Sequence, residues 1–229
     1  MLCGLLSATG IAGKPESYFR LLEERSYAES WGVTTGPGGS LDYWEYSRAA
    51  VAAGSTPNGV FAARVMWGRM DEVVTGLRSV GPHRLGNDLE VLQWAFGPTR
   101  FVHLQRRDVL AQGVSWARAE QTGHWQDRDG TTPCPGPQFD FDEVDRYVKA
   151  VNEHNAAWRE WFASSTITPL VVFYEGLVAD MPRTTATVLR FLGLEVPVGH
   201  EVVPSTRRQA DAVNRQWVER YRSHNPFGP

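Results

Sequence analysis

Two arginines and an aspartate, Arg106-Arg107-Asp108, lead into Val109-Leu110-Ala111-Gln112-Gly113-Val114-Ser115. The run before them, Phe101–Gln105, is short and apolar, and Asp108 is a strong helix-capping residue. The arginines therefore read as standing where a strand ends and a helix begins. Ser115 lies eight residues beyond Arg107, about two helical turns on. A guanidinium pair with a hydroxyl can hold a dianionic phosphate through charge-assisted hydrogen bonds, and a helix N-terminus adds partial positive charge. The same spacing also fits a surface Arg–Asp pair with a serine buried on the helix. Spacing alone leaves both readings open.

Other chemistry-bearing residues are sparser. Arg207-Arg208-Gln209-Ala210-Asp211 opens the last helical pattern. Cations at a helix start oppose the helix dipole, so this placement calls for a compensating acid or a bound anion. Tyr174-Glu175-Gly176-Leu177 follows a second short apolar run and marks a strand turning into a helix. Six histidines show no metal-ligand spacing, and His103, inside the first run, reads as a packed core residue. No GxSxG segment marks a serine hydrolase. The glycine-rich Thr34–Ser40 lacks the lysine of a phosphate-binding Walker loop, which argues against a nucleotide kinase. Of nine tryptophans most read as core, with Trp67, at the end of Val60–Met66, the one placed to stack on a sugar.

The elements that must carry these residues alternate. Apolar runs at Val60–Met66, Phe101–Gln105 and Leu170–Tyr174 predict strands. Helical patterns cover Met1–Thr9, Glu16–Glu24, Leu41–Ala53, Met70–Ser79, Asp108–Thr122, Phe141–Phe162, Pro182–Leu192 and Arg207–Ser223. Such alternation predicts an α/β fold with a mainly parallel central sheet flanked by helices. In that architecture ligands bind beyond the carboxyl ends of the strands, where Arg106 and Arg107 stand. The 229 residues suit one domain spanning 1–229. The formal charge of −3 gives no global positive field and argues against a nucleic-acid partner. Cys3 and Cys134 form no disulfide framework, which fits a reducing cytoplasm, and no apolar run is long enough for a membrane span.

Taken in order, these pieces resemble the actinobacterial trehalose 2-sulfotransferase family. The matching runs are Ala8–Pro15 with Tyr18-Phe19; Pro57–Phe61 through Met66-Trp67; Arg106-Arg107-Asp108 with Gln112–Ser115 and Gln121-Thr122; and Arg208–Asp211 with Trp217–Tyr221. The resemblance implies a P-loop-like fold that binds 3′-phosphoadenosine-5′-phosphosulfate (PAPS) and passes its sulfuryl group to a carbohydrate hydroxyl, such as one of trehalose or a glycolipid sugar. It implies that Arg106, Arg107 and Ser115 hold the 3′-phosphate and that Arg208 and Gln209 close over the nucleotide. No metal is implied. The family often forms homodimers, but no interface signature is visible here.

The chain departs from the family twice. The family's first strand and an Arg-Ser-Gly-Ser-Thr-like loop, which cradles the 5′-phosphosulfate, precede the segment matching Met1-Leu2-Cys3. The chain as written is therefore expected to be N-terminally truncated, with the first strand missing. That leaves a second reading open, an inactive nucleotide-binding or structural remnant. The family's catalytic glutamate stands two residues after the proline of the Gly-x-Pro segment. Here Ser17 has that position, and the expected base is its neighbour Glu16. Arg64 stands where the family commonly has lysine.

Overall fold

The computed structural model describes residues 1–34, 41–123, 136–195 and 212–224, except the side chains of Leu21 and Leu22. Cys134, Arg208, Gln209 and most of the Thr34–Ser40 loop lie outside the described residues. Helix α1 spans Leu2–Ala8, α2 Leu21–Trp31, α3 Tyr43–Gly54, α4 Met70–Val80 and α5 Asp88–Phe96. Strand β1, Val102–Gln105, leads into α6, Val109–Thr122, and then α7, Phe141–Ser164. Strand β2, Leu170–Phe173, runs directly into α8, Tyr174–Ala179, followed by α9, Met181–Leu192, and α10, Ala212–His224.

Capping residues set many of these boundaries. Asp42, Asn87, Asp108, Asp140 and Asp180 each accept a hydrogen bond from a first-turn amide of the helix that follows. Strands β1 and β2 pair in parallel with Val102 opposite Leu170 and Gln105 opposite Phe173, so both carboxyl ends emerge side by side. One face of this sheet packs on α1 and α9 through Leu2, Leu5, Leu6, Val172, Val188 and Leu189. The opposite face carries His103, which is buried against Trp158 and Phe162 of α7, as the sequence predicts. Burial, aided by Arg159, pushes its imidazole below the usual pKa and favours the neutral ring. A second core joins α2, α3, α4 and α5, and a third joins α6, α7 and α10.

The parallel pairing and flanking helices fit the expected α/β class, with a two-stranded sheet among the described residues. The expected strand at Val60–Met66 does not form. Among the described residues its ladder pairing is confined to isolated bridges, Ala63 to Glu16 and Phe61 to Ser55. A buried strand needs cover on both faces, and here Arg64 and Met66 point to solvent, Met66 being 46% exposed. The expected helix at Glu16–Glu24 starts only at Leu21. Residues 13–17 are instead stitched to the segment around Gly54–Arg64. Gly13 N donates to Thr56 Oγ1 at 3.2 Å, Lys14 N to Gly54 O at 2.8 Å and Arg64 N to Glu16 O at 2.9 Å. Tyr18 and Phe19 bury their rings from this irregular segment, so their apolar spacing mimics a helix without forming one.

Candidate functional site

The turn after β1 is organised by the residues that follow β2. Glu175 turns its carboxylate onto the Arg107 amide, which donates to Oε1 at 3.1 Å and Oε2 at 3.2 Å. The Asp108 amide donates to Oε1 at 3.4 Å. Burial works to raise the Glu175 pKa, but the amides of Glu175, Arg107 and Asp108 and the Arg106 guanidinium outweigh it and hold the carboxyl below its usual range. The Arg107 guanidinium lies 4.2 Å from the Phe173 ring centroid, and that of Arg106 5.0 Å from the Tyr174 centroid. Asp108 caps α6 by accepting from the Ala111 amide at 2.9 Å.

These contacts change the electrostatic picture read from spacing. Two carboxylates, Asp108 and Glu175, occupy the Arg107, Asp108 and Ala111 amides at this helix start, which leaves the arginine side chains as the main donors for an anion. Arg107 reaches an open groove of about 340 Å³ along β2, with Phe173, Arg183 and Thr184 also in its walls. Ser115 stands half-buried two turns up α6 and does not line that groove. Gly113 lets α6 lie close on α7, since a Cβ there would fall 2.6 Å from Val148 Cγ2. Arg106 Nε and Gln112 Oε1 are shielded from solvent without a hydrogen-bond partner among the described residues. Such orphaned groups cost free energy unless something satisfies them.

Glu16 sits apart from this turn. Among the described residues no hydrogen bond or ion pair joins it to Arg106, Arg107 or Ser115. Its side chain is exposed, while Ser17 is buried and accepts a hydrogen bond from Arg64 Nε at 2.9 Å. In an extended segment neighbouring side chains point to opposite sides, so the one-residue shift between Ser17 and Glu16 is a change of face. Arg64 thus holds the serine. Cys3 of α1 feels both charges: burial raises its thiol pKa, Arg64 opposes the rise and Glu16 adds to it. Glu16, Arg64 and Cys3 therefore share one neighbourhood near the start of α1.

Trp67 begins a 3-10 turn, Trp67–Arg69, and packs edge-to-face on Trp158 at 5.0 Å, half-buried in the α2–α5 core. That packing takes up part of the ring that the sequence reading set aside for a sugar. Among the described residues no group of three or more His, Cys, Asp or Glu is placed to hold a metal ion. None of their helices is long and apolar enough to cross a membrane. The contacts of Phe173, Tyr174 and Glu175 with the arginine turn escaped sequence reasoning. The Tyr-Glu pair after the strand was the available signal, but its target depends on strand register, which no local pattern encodes.

The α/β fold fits what comparison finds. A trehalose 2-sulfotransferase of Mycolicibacterium smegmatis is 27% identical over 241 residues, covering 97% of this chain and 89% of that protein. A trehalose 2-sulfotransferase of Mycobacterium tuberculosis is 27% identical over 257 residues, covering 99% of this chain and 91% of that one. The model of the Stf0 sulphotransferase family matches residues 1–224. Across that span, which includes the arginine turn, the residues that contact it and the Glu16 segment, the chain belongs to the Stf0 sulphotransferase family.

Proposed function

We propose that this enzyme transfers a sulfuryl group from PAPS to a carbohydrate hydroxyl, with trehalose or a glycolipid sugar as acceptor. The observation that carries the reading is the arginine turn at the end of β1, with Arg106 Nε shielded from solvent and without a partner among the described residues. A phosphate there would supply the acceptor that Arg106 Nε lacks. Arg106, Arg107 and Ser115 would hold the 3′-phosphate, and Arg208 and Gln209 would complete the nucleotide site. In the reaction the acceptor oxygen bonds to sulfur as the sulfur–oxygen bond to the 5′-phosphate breaks. The hydroxyl proton passes to Glu16, and the products are a sugar sulfate ester and adenosine 3′,5′-bisphosphate. Cys3, with its free thiol, suits a reducing cytoplasm.

Calorimetry with adenosine 3′,5′-bisphosphate tests the donor site. Removing one charge-assisted contact is worth roughly 1.5–3 kcal/mol, so Arg107→Ala should weaken binding about 10- to 100-fold. Ser115→Ala should weaken it by about tenfold, within the range of a single hydrogen bond to a charged group. A wild-type chain that binds no bisphosphate would sink the reading and favour an inactive remnant.

A second expectation concerns the base. Glu16→Gln should lower kcat by about 10²- to 10⁴-fold, the usual contribution of a positioned general base, while leaving bisphosphate affinity unchanged. Single-turnover assays on trehalose and PAPS read this directly. Retained turnover in the variant would remove Glu16 from the mechanism.

A further inference from the structure

Three consecutive residues, the last of β2 and the first two of α8, each grip the turn after β1. Phe173 lies against the Arg107 guanidinium, Tyr174 against that of Arg106, and Glu175 takes the amides of Arg107 and Asp108. An acid here is unexpected, because its charge opposes any anion the arginines would bind. The geometry resolves the conflict. Glu175 bonds backbone amides, and among the described residues it forms no ion pair with Arg106 or Arg107. The guanidinium carbons lie over the Tyr174 and Phe173 rings, and among the described residues neither guanidinium donates a hydrogen bond, so the N–H donors of both remain available. Backbone and side chains are thus restrained without using up the arginines' hydrogen-bonding edges.

We propose that Glu175 is a positioning residue which, with Phe173 and Tyr174, clamps the Arg106-Arg107 turn so that both guanidinium edges are presented to a phosphate dianion. The identity of that dianion as a nucleotide 3′-phosphate rests on the function proposed above; the clamp itself does not. Preorganisation of this kind pays the ordering entropy of two long side chains before the ligand arrives. It should therefore favour nucleotides with a 3′-phosphate over those without one.

The experiment compares the full chain with Glu175→Ala and Glu175→Gln. It reads amide hydrogen exchange at Arg107 and Asp108, and calorimetric affinity for adenosine 3′,5′-bisphosphate and for adenosine 5′-monophosphate. Glu175→Ala is expected to speed exchange at both amides by about tenfold or more. It should weaken the bisphosphate about 10- to 30-fold and the monophosphate less than about threefold. Glu175→Gln keeps one carbonyl oxygen as acceptor and should recover part of both effects, and it serves alone if the alanine variant does not fold. Unchanged exchange in the variants overturns the clamp. Equal loss of both nucleotides also overturns it, since that marks general loosening. If the wild-type chain binds neither nucleotide, the donor reading fails, and amide exchange still decides the clamp.

Discussion

Gly13→Ala should destabilise the protein by about 3 kcal/mol and lower its thermal midpoint by roughly 10 °C. Gly13 sits at φ +74°, where an L side chain costs about 1–2 kcal/mol. A Cβ there would also fall 2.6 Å from both the backbone nitrogen and the Cβ of Ala62. Backbone cannot yield as a side-chain tip can, so relief requires the two segments to part, at a further cost of about 1–3 kcal/mol. Their parting would loosen the bridge between Glu16 and Ala63 and the bond from Arg64 to Ser17. The variant is thus expected to lose turnover at temperatures where it remains folded. Differential scanning calorimetry with a matched assay checks both; a midpoint within about a degree of wild type contradicts the account.

Glu24→Gln should act in the opposite direction, stabilising the protein at alkaline pH. Glu24 is 7% exposed, and burial, helped by the Glu72 carboxylate, pushes its carboxyl up to about 7 from an ordinary 4.5. Little around it compensates. Glu72 Oε1 is taken by Arg69 at 2.6 Å, while Glu72 Oε2 and the Tyr43 hydroxyl are buried without hydrogen-bond partners among the described residues. The Tyr43 hydroxyl is itself raised by burial and by both acids. Between pH 4.5 and 7 the folded state holds a proton that the unfolded state has released. Stability therefore falls as pH rises through that window, by about 3 kcal/mol at 1.36 kcal/mol per unit, and stays low above it. A glutamine mimics the protonated acid, so the variant should match wild type near pH 4.5 and exceed it by up to about 3 kcal/mol at pH 8. Urea unfolding across this range measures the difference, and parallel curves would show that Glu24 is ionised at no cost.

Sequence reading served best where a single residue decides a boundary. Asp108 caps α6 as expected, and Gly193, in the left-handed region, closes α9 where the Pro182–Leu192 pattern ends; both boundaries have local physical causes. The two paired strands were legible because each is a short apolar run ended by charge. Helix α5 went unread although its start was written out: Asn87 accepts from the Glu90 amide while Glu90 reaches back to the Asn87 side chain. Its apolar residues, Leu89, Val91, Leu92, Trp94 and Phe96, blur a helical period with an alternating one. Val60–Met66 failed for another reason. An apolar run states that a segment is buried on some side, not that ladder partners exist on both.

The site divides the same way. Arg106 and Arg107 were placed correctly at a strand end because cap and strand signals flank them. Glu16 was singled out as the expected base by its place after Pro15, but which of Glu16 and Ser17 faces outward depends on the bridge to Ala63. That bridge joins residues distant in sequence, and so does the register that sets Glu175 against Arg107.

The parallel register of the strands also sets an order in time. Arg107 and Glu175 are 68 residues apart, with α6 and α7 between them. On a chain emerging from the ribosome, the arginine turn and its helix are complete well before the Phe173-Tyr174-Glu175 stretch exists. The two guanidinium groups spend that interval without these contacts, and the proposed anion site can form only after long-range closure, the slow class of folding event. A nascent chain released short of β2 would carry every arginine of the turn and still be unable to organise them.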